Sequence, residues 1–183
     1  MKKVKLYIAT SLDGYIARHG GNLDWLREFP NPSKEDFGYK EFFSSVDTVI
    51  MGGRTYRDVL CMDVVWPYKD KTTYVITRNP IIPKENIHFI TENVTETISR
   101  LREEDGKDIW LVGGGELITM LLNQNLVDEM IITYIPIILG NGISLFSDIV
   151  KESYWNTFDV QRYNNNIVKI TYKLENGTID IDR

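Results

Sequence analysis

The chain has few of the residues that build metal clusters or covalent staples. Among 183 residues Cys61 is the single cysteine, and His19 and His88 are the two histidines. One cysteine excludes an intrachain disulfide, and with two distant histidines it offers no familiar zinc spacing. Positive charge is also scarce: 21 Lys and Arg stand against 26 Asp and Glu, a net charge of −5. No surplus field remains for a phosphate backbone, so nucleic acid is not an expected partner. No run of about 18 apolar residues occurs, so a membrane-spanning helix is not expected. Met1 to Thr10 carries lysines and a short apolar run that leads straight to Asp13 and Gly14, unlike a signal peptide. A cytoplasmic protein is expected. Gly-Lys-Ser and Gly-Lys-Thr are missing, which argues against a P-loop. So is Gly-x-Ser-x-Gly, since Gly142-Ile143-Ser144 lacks the final glycine, and triad hydrolysis fits poorly.

What is present is the composition of a globular protein, 43% apolar and 26% charged. The length suits one domain over residues 1–183. Val4 to Thr10 mixes β-branched and aromatic residues and reads as a central strand buried on both faces. A turn-rich loop through His19, Gly20, Gly21 and Asn22 leads to Trp25 and Leu26, the layout of a lid. Ser33 with Asp36 resembles a helix cap, followed by an aromatic face of Phe37, Tyr39, Phe42 and Phe43 ending near Ser45. Strands are expected at Thr48–Met51, Thr73–Thr77, Ile109–Val112 and Met130–Ile135. Helices are expected after Gly52-Gly53, from Asn93 to Glu104, and at Leu117–Leu122. Strands at Thr157–Tyr163 and Ile167–Leu174 are joined by Asn164-Asn165-Asn166, which suits a hairpin. Alternating strands and helices that end in an antiparallel hairpin imply a mixed sheet with helices on both faces.

Three strand ends carry groups suited to anions: Met51 into Gly52 to Thr55, Val75 into Thr77 and Arg78, and Val112 into Gly113 to Gly115. Each turn by itself serves loop closure equally well, since glycine relieves tight turns. Together they suit a dinucleotide, whose phosphates need bare backbone and helix N-termini. The Rossmann fingerprint fails, because its third glycine falls on Ile118. Asp36, on an aromatic-rich helix, reads either as a carboxylate with a pKa raised by desolvation or as a helix cap. Glu35 reads as solvated, and Asp13 as a turn-stabilising side chain. Thr133 reads either as a core hydroxyl or as the group that holds a neighbour such as Asp36. His19 and His88 read as surface residues.

The motifs that carry a family resemblance are Ser11-Leu12-Asp13-Gly14-Tyr15-Ile16-Ala17, Val49-Ile50-Met51-Gly52-Gly53-Arg54-Thr55-Tyr56, Val75-Ile76-Thr77-Arg78, Trp110-Leu111-Val112-Gly113-Gly114-Gly115-Glu116-Leu117 and Pro136-Ile137-Ile138-Leu139-Gly140-Asn141-Gly142. In this order they resemble the dihydrofolate reductase-like superfamily, above all the reductase domain of the bifunctional riboflavin-biosynthesis deaminase-reductase. The resemblance implies a three-layer α/β fold, an NADPH-dependent reductase acting on a small pteridine-like or aminopyrimidine molecule, and a homodimer. Dihydrofolate reduction and non-catalytic NADPH binding are the alternatives.

By the same resemblance Gly113-Gly114 is a cis peptide, and Gly113, Gly114, Gly115, Glu116 and Leu117 face the pyrophosphate. Gly52, Gly53, Arg54, Thr55, Thr77 and Arg78 line the adenosine half, while Ala9, Thr10 and Ile16 approach the nicotinamide. Asp36, fifteen positions before Met51, matches the active-site carboxylate, and Thr133 matches the threonine that hydrogen-bonds it. Two positions depart from the pattern. Gly53 stands where many relatives carry an arginine for the ribose phosphate, leaving Arg54 or Arg78 to that task. Ile118 replaces an aromatic of folate-reducing members.

Overall fold

The computed structural model describes residues 1–62, 64–80, 85–147 and 150–175. Its strands are β1 (Val4–Ser11), β2 (Tyr15–Ala17), β3 (Val46–Gly52), β4 (Thr72–Ile76), β5 (Ile87–Ile90), β6 (Asp108–Gly113), β7 (Glu129–Ile135), β8 (Ile143–Ser144), β9 (Trp155–Arg162) and β10 (Val168–Leu174). Its α-helices are α1 (Asp24–Arg27), α2 (Tyr39–Ser45), α3 (Gly53–Cys61), α4 (Val94–Glu103) and α5 (Gly115–Asn123).

Eight strands form one sheet in the order β5-β4-β3-β6-β1-β7-β10-β9. The pairs from β5 through β7 are parallel, and β10 pairs antiparallel with both β7 and β9. Parallel neighbours need crossovers, and the crossover helices cover both sheet faces. On one face Ile98 and Leu101 of α4 and Leu117, Ile118 and Leu121 of α5 pack on Leu6, Ile50, Leu111 and Ile132. On the other, Phe42 of α2 and Tyr56 and Val59 of α3 pack on Val49, Met51, Val75 and Trp110, with Tyr7 against them. Leu6 and Tyr7 therefore serve opposite cores, as strand alternation requires of a central strand. From β3 the chain steps outward to β4 and β5, whereas from β6 it crosses β1 to reach β7. That reversal creates a switch point, and its crevice opens at the carboxyl ends of the strands.

Local chemistry explains where the boundaries moved. The aromatic helix begins at Tyr39 rather than Phe37, because Phe37 (φ 55°) and Gly38 (φ 83°) are left-handed and cannot extend a right-handed helix. Helix α4 follows Asn93 as expected, but Asn93 is itself left-handed and its side chain makes no capping bond. The hairpin turn holds, with Asn166 at φ 64°. Strands β2 and β8 pair with each other and were not expected, since three and two residues are too short to show a period.

Asp13 takes the turn role expected of it. Its carboxylate accepts bonds from the Ser11 hydroxyl (2.6 Å) and the amides of Gly140 (2.7 Å) and Leu139 (3.1 Å), tying the turn after β1 to the loop after β7. The Ser11 bond, backed by those amides, lowers its pKa from 3.8 to about 2. A lowered carboxyl pKa gives stability that is present above the unfolded value and lost as pH falls through the folded one. Asp13→Asn is therefore expected to flatten the acid limb of a denaturation profile between pH 3.8 and about 2, with little change in that limb above it. A variant with the same acid limb as the parent would contradict the assignment.

Candidate cofactor and substrate cleft

At the carboxyl ends of β3, β4 and β6 the backbone is bare and closely apposed. The Gly113-Gly114 peptide is cis, and Gly113 has φ 119°, a value that side chains rarely tolerate. A β-carbon on Gly52 would lie 3.7 Å from the Gly113 carbonyl oxygen and 3.8 Å from the Gly114 nitrogen. The Thr55 hydroxyl lies 3.6 Å from the β-carbon position of Gly114. Two glycine turns and one hydroxyl thus meet at one place. Helix α5 starts there, and its first amides have no partner inside the helix. Those amides and the helix dipole make the turn a site for an anion.

Thr77 explains Gly53. A β-carbon on Gly53 would sit 2.7 Å from the Thr77 hydroxyl and 2.8 Å from its Cβ, so any larger residue displaces Thr77. The Thr77 hydroxyl also accepts the Asn79 amide at 3.2 Å, which fixes the strand end. Arg54 and Arg78 are exposed beyond their strand ends. Glu116 is exposed as well, but Leu117 belongs to the core. Its side chain is committed to packing, so the expected contact to a cofactor reduces to its backbone amide.

Around the end of β1, Ala9 packs with Trp25, Phe37, Ile135 and Ile167, whereas Ile16 packs with the α4–α5 core. Thr10 is fully buried, and its single hydroxyl proton is shared between the carbonyls of Tyr15 (3.2 Å) and Ser11 (3.3 Å). That hydroxyl is spent inside the fold, leaving backbone as the group Thr10 can offer. Trp25 is 4% exposed, so it forms a packed wall and not an open lid.

Asp36 does not have the environment expected of a proton-holding carboxyl. It is exposed and accepts the amides of Gly38 (3.0 Å) and Lys40 (3.3 Å), leading into α2. The bond from Gly38, then that from Lys40, moves its pKa down rather than up. The Ser33–Asp36 cap is not formed as expected: the N-cap of α2 is Gly38, and Asp36, two residues before it, reaches the Lys40 amide from outside the helix. Thr133 is buried, and among the described residues no hydrogen bond joins it to Asp36. The expected threonine–carboxylate pair is not formed.

Lys169, which no sequence motif marks, stands next to Thr133. The register pairs Ala9 with Thr133 and Thr133 with Lys169, so the three share one face of the sheet. Lys169 is 9% exposed, and its ammonium donates to the Phe37 carbonyl at 2.7 Å. Tyr7 donates to the same carbonyl at 3.2 Å. Strand alternation alone does not mark this lysine, because a Lys in a C-terminal hairpin ordinarily faces water.

The matching family model, described as the RibD C-terminal domain, spans residues 2–169, from before β1 into β10. The chain belongs to the RibD C-terminal domain family. It is 44% identical over 153 residues to the uncharacterized protein YwjB of Bacillus subtilis, covering 83% of this chain and 87% of that protein. It is also similar to the crystal structure of a putative riboflavin biosynthesis protein from Shewanella sp. PV-4, with TM-score 0.85 and 32% identity over 94% of this chain and 99% of the other. A dihydrofolate reductase from Enterococcus faecalis, complexed with NADP(H) and RAB-propyl, matches in fold with TM-score 0.67. That match has 20% identity over 94% of this chain and 96% of the reductase. The fold is shared with that dihydrofolate reductase, and no helix among the described residues is long and apolar enough to cross a membrane.

Proposed function

We propose that this chain is an NADPH-dependent reductase acting on a planar pteridine-like or aminopyrimidine substrate, resembling the reductase of riboflavin biosynthesis. The observation that carries the reading is the meeting of bare backbone at Gly52, Gly113 and Gly114, with the Thr55 hydroxyl beside it. A dinucleotide pyrophosphate fits such a place, because close approach needs the absence of β-carbons and charge needs unpaired amides.

In this reading Gly113, Gly114 and the first amides of α5 hold the pyrophosphate, and Thr55 and Thr77 border the adenosine half. Ala9, Ile16 and the Thr10 backbone form the floor toward the nicotinamide. The cofactor supplies the hydride when bound. The chain supplies orientation and exclusion of water, with Trp25 and Phe37 walling the substrate side. Asp36, its carboxylate bonded to the amides of Gly38 and Lys40 ahead of α2, is given no part in proton transfer in this reading.

Measuring NADPH oxidation with the phosphorylated ribosylaminopyrimidine and separately with dihydrofolate tests the assignment. Turnover of the first is expected; silence with both would sink it. Gly53 leaves no arginine at its own position, so Arg54 and Arg78 are the cations this reading assigns to the ribose phosphate, and the Arg57 guanidinium, 3.6 Å from the β-carbon position of Gly53, adds positive charge beside them. Replacing both by alanine is expected to weaken NADPH binding by roughly tenfold or more, the scale of one charge-assisted hydrogen bond. NADH affinity should stay the same in a parallel titration. Equal losses for both cofactors would refute this role.

A further inference from the structure

We infer that Lys169 orients the substrate, and that the substrate edge it meets is rich in acceptors, a carbonyl or anionic oxygen and not an amino group. The inference deepens the reductase reading of the cleft and rests on it. Lys169 shares the sheet row of Ala9 and Thr133, on the face that carries Trp25 and Phe37. Its ammonium makes one hydrogen bond among the described residues, to the Phe37 carbonyl, and no carboxylate there lies within salt-bridge distance. An ammonium has three donors, so two remain unspent. A buried cation with unused donors gains from an additional acceptor, which offsets part of its desolvation.

The surroundings are shaped around this group. Gly38 has φ 83°, which favours glycine, and the Lys169 Nζ lies 2.7 Å from its β-carbon position. The Phe37 carbonyl accepts from both Tyr7 and Lys169, which fills its two lone pairs and pins the ammonium. Phe37 and Tyr163 meet edge to face at 4.9 Å, and the ammonium lies 5.9 Å from the Tyr163 ring centre. Asp36, the nearby acid, has its carboxylate engaged by the amides of Gly38 and Lys40. The polar groups this face offers a planar ligand are the Thr133 hydroxyl, the unpartnered Trp25 indole N–H and the Lys169 ammonium, and the ammonium is the one that carries charge. A cation selects oxygen acceptors and rejects an amino edge, which would leave it unpaired.

The test uses two probes of nearly equal shape. Lumazine carries two carbonyls on its pyrimidine ring, and in pterin an amino group replaces one of them. Fluorescence titrations are made on the full chain, free and with saturating NADP+. The parent is expected to bind lumazine roughly tenfold or more tightly than pterin. Lys169→Met should abolish the preference and leave NADP+ affinity unchanged, while Lys169→Arg should retain it. Equal binding of the two probes by the parent overturns the inference without need of any variant. So does a preference that survives in Lys169→Met, which would make the lysine a purely structural tie, or failure to bind lumazine at all. Failure of NADP+ to bind sinks the cofactor reading alone, because the probe comparison on the free protein still decides Lys169.

Discussion

Replacing Gly115 by alanine is expected to destabilise the fold by about 2–3 kcal/mol, the usual scale of overpacking at a site that cannot yield. Replacing its neighbour Gly114 is expected to leave stability within about 1 kcal/mol and to weaken NADPH binding at least tenfold. The contrast comes from what each new β-carbon would meet. At Gly115 it would overlap the Ser144 carbonyl oxygen and lie 2.6 Å from the Ser147 hydroxyl. Ser144 is part of β8, whose backbone is paired to β2, so the obstacle is not a flexible side-chain end. The helix-propensity gain of alanine over glycine, about 1 kcal/mol at most, does not offset that clash. At Gly114 the nearest atom is the Thr55 hydroxyl at 3.6 Å, an ordinary contact, and φ is −81°. Folding is spared, and the methyl group instead occupies the turn assigned to the pyrophosphate. Urea denaturation and calorimetric titration of both variants separate the two effects. Unchanged NADPH affinity in Gly114→Ala would falsify the pyrophosphate assignment.

Ile118→Ala is expected to cost about 3–4 kcal/mol, within the range for emptying a fully buried isoleucine. Ile118 is completely inaccessible, and its Cδ1 lies 3.4 Å from the β-carbon position of Gly113. The side chain therefore supports the underside of the strand end that carries the bare turn. A cavity there removes packing from both α5 and Gly113, so cofactor affinity should fall together with stability. Ile118→Phe, the aromatic class found in folate-reducing members, is expected to cost about 1–3 kcal/mol through overpacking. Chemical denaturation of the two variants checks both numbers, and a stabilised Ile118→Phe would show that the site has room for the aromatic. Folate-type enzymes would then be poorly separated from this chain at that position.

Much of this fold was legible in the chain because its signals are local. The four-residue apolar run Ile109–Val112 before a glycine triplet marks β6 and the start of α5, and period and punctuation both act within a few residues. The same holds for β1, β3 and the Asn164–Asn166 hairpin. The likeness to the RibD reductase domain was also carried by contiguous motifs, and the family match over residues 2–169 agrees with it. Harder to read was the segment before α2. Ser33, Asp36 and the aromatics that follow look like one continuous helix start, yet Phe37 and Gly38 turn left-handed. The aromatic pattern from Phe37 onward does not reveal that turn, because Tyr7 and Lys169 draw the Phe37 carbonyl inward from strands far along the chain.

By itself the sequence determined the order of strands β1, β3, β4, β6, β7, β9 and β10, the glycine-marked strand ends and the exclusion of intrachain disulfides, since these depend on composition and short-range pattern. Tertiary structure decided the chemistry of the substrate face. It exposed Asp36 and committed its carboxylate to α2, spent the Thr10 hydroxyl internally, and buried Lys169 beside Thr133. The physical reason is long-range contact: pairing of β7 with β10 sets Lys169 beside Thr133, and the segment before α2 brings the Phe37 carbonyl, 132 positions away in the chain, onto its ammonium. Burial and partner supply, which set the charge a site presents, are fixed by that pairing and not by neighbours in the chain.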